Sequence, residues 1–329
     1  MVEALTRQAA LLNTNTRYLH DNIVEYAERL TGTLPEGLCV ASFGCSGSEA
    51  NSLMLRMARN YTGSDQAIVL DWAYHAPRKN SSTLALTSTS ARPARAGRHM
   101  FTRRWSRTAT TRPGTGQWKS MASVLPSRSQ SSWMPYARQA RPRLLPCRVD
   151  PQRGGQVFLP DNYLKEVYAM VRAEGGLCLA DEVQVGFGRV GSHWWAFETQ
   201  GVVPDAVTMG KPIGNGHPMS AVVTTREVAD AFNNGMEYFN TFAGNPVSCA
   251  VGLAVLNAIE RDQLKENALS VGNYLLDGFR KLQQQFDVIG DVRGLGLFLG
   301  IVLVTDRKSK APATSLARKV LMAPGNAAY

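Results

Sequence analysis

Val207-Thr208-Met209-Gly210-Lys211-Pro212-Ile213-Gly214-Asn215-Gly216 decides how this 329-residue chain is read. A brief apolar run ends in a lone lysine, followed at once by a proline and two closely spaced glycines. The run predicts a buried strand, and the Gly/Pro cluster forces the chain to turn directly after it. One amine is thereby set at the carboxyl edge of a sheet, where open α/β folds place their ligands. Held there, the amine is expected to be desolvated, which disfavours its charged form and makes it a usable nucleophile. The plain alternative is a solvated lysine in a surface turn.

Upstream, Leu177-Cys178-Leu179-Ala180 predicts another strand, which delivers Asp181-Glu182-Val183-Gln184 to its carboxyl end. The helix before it runs through Tyr163, Val167, Met170 and Val171, with Asp161 as its expected cap and Gly175-Gly176 as its stop. A helix followed by such a strand is the repeating unit of a mostly parallel sheet. Nearer the start, residues 1–32 read as helical, and Leu38 to Phe43 form a short strand. That strand runs into Gly44-Cys45-Ser46-Gly47-Ser48-Glu49-Ala50-Asn51, and Leu53, Met54, Met57 and Ala58 then mark a helix. Ser46 and Glu49 have the S-x-x-E spacing of a capping box. Gly47 admits close approach to the backbone and Ser48 adds a hydroxyl. Free N–H groups at the positive end of the helix dipole suit a phosphate, although a plain helix cap has the same sequence. Ile68-Val69-Leu70-Asp71 resembles a strand ending at Trp72-Ala73-Tyr74-His75.

Downstream of Lys211, Ala221 to Thr225 reads as a strand and Val228 to Phe232 as a short helix. Glu237 to Pro246 is a polar, aromatic loop, and Val247 to Arg261 is a helix rich in Ala, Val and Leu. An amphipathic helix over 265–284 is expected to open a second domain, continued by a strand with a Gly-rich turn over 288–301. From Met322 to Tyr329 no closing element is expected.

The length and the 44% hydrophobic content allow one large α/β domain plus a smaller one. No apolar run approaches a membrane span, and the first residues lack the apolar centre of a signal peptide. Five scattered cysteines without a CxxC pair suggest reduced thiols and a cytoplasmic protein. The net charge of +10 raises the question of nucleic acid, and its distribution answers most of it. Residues 77–150 hold 13 Arg and 2 Lys against the single acid Asp150, a net of +14, so the rest of the chain nets −4. The basicity is local. From Pro77 to Gly154, Ser, Thr, Arg and Pro dominate and no period persists. A disordered arm binding RNA or DNA is one reading. The favoured one is a sequence foreign to the fold, as a shifted reading frame would produce, because periodicity stops and resumes abruptly around it.

Three features converge: a phosphate-type helix terminus at Gly47-Ser48, an acid at one strand end (Asp181), and an amine at another (Lys211). Pyridoxal 5′-phosphate needs such a set, in which the lysine forms an imine, the acid keeps the pyridine nitrogen protonated and the helix holds the phosphate. Tyr74 could stack on the ring and Gln184 could donate to its phenolic oxygen. Taken singly, Asp181 as a turn cap and Tyr74 as a core aromatic are the simpler readings.

At these residues the chain resembles the class III aminotransferase family of fold-type I enzymes. The matching pieces are Ser46-Gly47-Ser48-Glu49-Ala50, Tyr74-His75, Ala180 to Arg189, Thr208-Met209-Gly210-Lys211, Asn240-Thr241-Phe242 and Val292-Arg293-Gly294-Leu295-Gly296. The resemblance covers roughly residues 1–75 and 155–310. It implies Lys211 as the Schiff-base lysine, Asp181 as the pyridinium partner, and Gly47 and Ser48 at the phosphate. It also implies that Tyr74 and Val183 cover the two ring faces and that Gln184 approaches the phenolic oxygen. Thr241 would reach the phosphate of a partner subunit's cofactor, so a homodimer is implied. The expected fold is a large domain around a mostly parallel sheet, in two parts (1–76 and 155–264) split by the basic segment 77–154. A C-terminal α+β domain from 265 to 329 would be incomplete, because family members begin before Met1 and run past Tyr329 to an arginine that often grips a substrate carboxylate. No metal is implied. The implied activity moves an amino group from an amino acid or amine to a keto acid. The stretch Lys211 to Pro218 is most similar to the branch holding the amino-alcohol phosphate phospho-lyases, so elimination of phosphate is the second reading. An inactive remnant is the third.

Overall fold

The computed structural model describes residues 1–64, 67–68, 156, 158–235 and 237–323, together with the backbone of strand 144–147. Tyr74, the strand expected from Ile68 to Asp71 beyond Ile68 itself, and the rest of the basic stretch 77–154 lie outside the described residues.

The region read as helical over 1–32 is two helices, α1 (Val2–Leu11) and α2 (Asp21–Thr31). Residues 12–20 separate them, and His20 caps α2, its ring nitrogen Nδ1 accepting from Asn22 N at 3.1 Å. Strand β1 (Val40–Gly44) runs into α3 (Gly47–Thr62), whose left-handed Gly63 (φ 64°) ends it. Strand β2 (Leu144–Cys147) falls inside the stretch expected to lack structure, where the Arg- and Pro-rich composition conceals it. Helix α4 (Tyr163–Ala173) precedes β3 (Leu177–Asp181). Asn162 (φ 62°), not the expected Asp161, occupies the cap position of α4, and no side chain bonds there. The left-handed Gly175 (φ 72°) stops that helix as expected.

Next come β4 (Ala206–Met209), the one-turn helix α5 (Lys211–Gly214), β5 (Ser220–Thr224) and α6 (Arg226–Phe232). Helix α7 (Pro246–Arg261) is followed by the long helix α8 (Leu264–Gln285). The stretch expected as one strand with a turn is a hairpin of β6 (Ile289–Leu295) and β7 (Phe298–Leu303), and α9 (Thr314–Met322) follows it.

Among the described residues, five strands form one sheet in the order β1-β5-β4-β3-β2. Strands β2, β3 and β4 pair in parallel, while β5 is antiparallel to both β4 and β1. Four strands therefore point one way and only β5 runs against them, which fits the expected mostly parallel sheet. Side chains alternate across such a sheet, so residue parity sorts them into two layers. Leu177, Leu179, Ala206 and Val222 face α3 and its Leu53, Met54 and Met57. Cys178, Ala180, Val207, Met209, Ala221 and Val223 face the larger core with Tyr26, Tyr168, Val251 and Leu256. Helices on both faces bury the sheet, and its carboxyl edge carries the site. There is no room to spare in the larger core: a Cβ on Gly252 of α7 would come within 2.5 Å of the Tyr26 ring.

The β6–β7 hairpin is clamped to the main body by glycines. A Cβ on Gly296 (φ 55°) would lie 2.4 Å from the Val190 carbonyl carbon, and one on Gly272 of α8 would collide with Gly296 O at 2.0 Å. Leu297 N also donates to Arg189 O at 3.0 Å.

Candidate functional site

Two strand ends at the carboxyl edge and one helix start meet at a single place. Strand β3 ends on Asp181, which is 1% exposed. Its Oδ1 accepts from Val183 N at 3.2 Å and its Oδ2 from Asn51 Nδ2 at 3.0 Å. Strand β4 ends at Met209, and Gly210 hands the chain to α5, which opens on Lys211 with Pro212 behind it. Proline suits this first helical turn, where its missing N–H is not needed. Lys211 Nζ donates to Gln184 Oε1 at 3.3 Å. The side chain is exposed, which corrects the expectation of a desolvated amine. Lys211 begins a helical turn beyond the end of the strand, so the apolar layers of the sheet do not enclose it.

Helix α3 supplies the third part. Ser46 Oγ accepts from Glu49 N at 3.3 Å, which is one half of the expected capping box. The other half is displaced: Glu49 Oε2 accepts from Cys45 N at 2.7 Å rather than from the amide of Ser46, and Asn240 Nδ2 donates to the same oxygen at 3.5 Å. Ala50 N bonds to Ser46 O, so the amides of Gly47 and Ser48 begin the helix without an intrahelical acceptor. An anionic group is favoured at such a terminus.

Val183 joins these parts. A Cβ on Gly47 would lie 2.7 Å from Val183 Cγ1, and one on Gly210 would lie 3.2 Å from the same methyl and 3.5 Å from Gly47 N. Gly47 is therefore demanded by the packing of Val183, not only by the approach of a ligand. These glycines leave a cradle in which the α3 terminus, Val183 and the start of α5 are in contact. Of the expected site residues, Asp181 bonds to Val183, Lys211 bonds to Gln184, and Val183 packs against Gly47, which Ser48 follows. Thr241 is exposed on the loop before α7, next to Asn240, which bonds to Glu49 in the first turn of α3. Tyr74 lies outside the described residues.

Sequence reasoning gave roles to neither Glu182 nor Asn51. Glu182 is fully buried, and its two oxygens accept from Ala196 N at 3.1 Å and Phe197 N at 2.9 Å. It caps the short 3-10 helix Ala196–Gln200. Burial pushes its carboxyl up to about 8 against the pull of those two N–H groups. Asn51 accepts from Thr208 Oγ1 at 2.7 Å while donating to Asp181. A polar residue on the otherwise apolar face of α3, beside Ala50 and Leu53, was the signal that could have found it.

Among the described residues, no group of three or more His, Cys, Asp and Glu is disposed to hold a metal ion, and no helix is long and apolar enough to cross a membrane.

Comparisons with known proteins agree with this geometry. The alanine–glyoxylate aminotransferase 2-like protein of Drosophila melanogaster is 42% identical over 98% of this chain. The ethanolamine-phosphate phospho-lyase homolog 1 of Caenorhabditis elegans is 38% identical, again over 98% of this chain and over 72% of its own length. The solved structure of a phospholyase from Arthrobacter in complex with phosphoethanolamine superposes with a TM-score of 0.82 at 36% identity, covering 96% of this chain and 74% of that one. The chain spans just under two thirds, 66%, of the length of the Drosophila relative. The aminotransferase class-III family model matches residues 1–323, and the chain belongs to that family.

Proposed function

We propose that this chain is a pyridoxal-phosphate-dependent aminotransferase that moves an amino group from an amino acid or amine to a keto acid. One observation carries the reading: a buried carboxylate, a lysine amine and a helix N-terminus converge on one cradle, with Val183 between them. That donor set fits pyridoxal phosphate, with Gly47 and Ser48 at its phosphate, Asp181 at its ring nitrogen and Lys211 at its aldehyde carbon. When bound, the group supplies an electron sink for the bonds around the substrate's amino-bearing carbon.

The protein's own residues do the rest. Lys211 Nζ would hold the group and would take the proton from the substrate's α-carbon. Asp181, oriented by Val183 N and Asn51 Nδ2, would keep a proton on the ring nitrogen. Gln184 accepts from Lys211 Nζ at 3.3 Å and would face the ring's phenolic oxygen. Val183 would cover one ring face, and the family resemblance assigns Tyr74 to the other.

A second reading has its own support. The phospholyase from Arthrobacter, whose structure holds phosphoethanolamine, matches 96% of this chain. The same site would then expel phosphate from a phosphorylated amino alcohol instead of passing on an amino group. Assembly as a homodimer in the cytoplasm completes the proposal, with Thr241 reaching the partner's cofactor. Residues 1–76 and 155–264 form its large domain and the region from 265 onward its small one, and neither nucleic acid nor membrane is a partner.

The test is a titration of the purified full chain with pyridoxal phosphate, followed by visible absorbance, borohydride reduction and mapping of the adduct by mass spectrometry. A single adduct on Lys211, lost in Lys211→Ala, is expected. Label scattered over surface lysines would sink the reading. Keto-acid formation from a donor and an acceptor separates the aminotransferase from phosphate release without an acceptor.

A further inference from the structure

Three polar side chains, Asn51, Asp181 and Thr208, sit fully buried in the layer between the sheet and α3, at 5%, 1% and 0% exposure. Ser220, Thr224 and Thr62 are also buried on these elements, and the rest of the layer is apolar. Asp181 and Thr208 are register partners across the parallel β3–β4 pair, and their parity turns both toward α3. Asn51 projects from the first turns of α3 into the gap between them. Its Oδ1 accepts from Thr208 Oγ1 at 2.7 Å, and its Nδ2 donates to Asp181 Oδ2 at 3.0 Å.

The direction of this relay follows from chemistry. A hydroxyl donating to the amide oxygen leaves the amide NH₂, and not the oxygen, facing the carboxylate. With Val183 N on Oδ1, both oxygens of Asp181 face N–H donors, an arrangement that favours the charged carboxylate. Burying three polar groups costs stability unless each is bonded, and an apolar trio would pack the layer as well. The network therefore points to a task beyond packing. Strand β4 reaches Lys211 three residues after Thr208, so the relay ties the acid and the amine of the site to one helix.

We propose that Asn51, held by Thr208, is the positioning residue that keeps the Asp181 carboxylate charged and aimed at the ring nitrogen of the bound cofactor. The inference rests on the proposed pyridoxal-phosphate site, and its test separates the two. First, the Asp181 carboxyl is titrated in the full chain without added cofactor by difference infrared spectroscopy, with Asp181→Asn marking its band. In Asn51→Ala the carboxyl is expected to take up its proton at higher pH than in wild type. Thr208→Val should move it in the same direction by less, and Thr208→Ser should restore the wild-type curve. Second, the chain is loaded with pyridoxal phosphate carrying nitrogen-15 in its ring. In Asn51→Ala the ring nitrogen should lose its proton at lower pH, with about tenfold weaker binding, the worth of one charge-assisted hydrogen bond. An Asp181 titration unchanged in folded Asn51→Ala or Thr208→Val overturns the inference. Absence of an adduct on Lys211 in the wild type would defeat the functional reading instead, while the cofactor-free titration still decides whether Asn51 governs Asp181.

Discussion

Glu182 shows how neighbouring acids of one sequence are given different work. Asp181 faces α3, and the next residue necessarily faces the other way, into the core, where Ala196 N and Phe197 N meet its carboxylate. Burial raises its carboxyl to about 8 from the ordinary 4.5. Between those values the folded chain keeps a proton that the unfolded chain has released. Stability from this group is thus full below about 4.5 and is lost as pH rises toward about 8. Urea midpoints measured from pH 5 to 9 should fall across that window in the wild type and much less in Glu182→Gln. The amide also turns an NH₂ toward one of the two backbone donors, so the variant should be less stable by about 1–3 kcal/mol at pH 5. Equal slopes in both proteins would show that Glu182 titrates elsewhere. Asp181 was legible because it ends a strand one residue before the chain leaves the sheet. Glu182 was not, because its partners lie more than ten residues away on a 3-10 turn that has no apolar period of its own.

Helix α3 carries two neighbouring residues whose changes should separate stability from site geometry. Ser46→Ala removes the side-chain acceptor for Glu49 N, and such a cap is worth about 1 kcal/mol. Thermal unfolding should register that loss while pyridoxal phosphate still binds. Gly47→Ala sets a methyl 2.7 Å from Val183 Cγ1, against a β-branched residue with little freedom to turn. Val183 must then leave the cradle, and binding should weaken by about tenfold or more, a far larger effect than the shift in melting. Comparable binding losses in the two variants would mean that the cradle is set by the cap and not by Val183. The strands and long helices were legible because alternation and caps announce them locally. Three features escaped for distinct reasons. The Gly-Lys-Pro turn is helical, since proline opens helices as readily as it ends strands. The pair Gly294 and Gly296 disguised the bend of a hairpin as a break in one strand. The carboxylate of Glu49 went to Cys45 N instead of closing the box, because Asn240, far off in sequence, helps to hold it there.

For the molecule as a whole, the decisive stretch is Asn240 to Asn245, which exposes Thr241 and Phe242, buries Ala243 and Gly244, and is internally bonded. Phe242 is 73% exposed, but its N–H donates to Asn240 Oδ1 at 3.2 Å and its carbonyl accepts from Asn245 Nδ2 at 2.6 Å. Asn245 in turn caps α7 by accepting from Ser248 N at 2.9 Å. The loop is further braced by Arg17, which pairs with Glu237 at 3.3 Å and lies 4.2 Å over the Phe239 ring. A rigidly presented aromatic is costly to leave in water, and a loop that pays no further ordering entropy is well suited to an interface. In the proposed dimer Phe242 would be covered by the partner subunit, and Thr241 beside it would reach the partner's cofactor. Sedimentation of the full chain should therefore give a dimer, and Phe242→Glu should shift it toward monomer, because a charge would have to be desolvated at the contact. Thr241→Ala should leave the dimer intact and loosen pyridoxal phosphate by about three- to tenfold, one hydroxyl's hydrogen bond. If Phe242→Glu stays dimeric, the interface lies elsewhere on the surface. If the wild type is a monomer that binds the cofactor as tightly as Thr241→Ala does, each chain completes its own site and the partner contributes nothing to it.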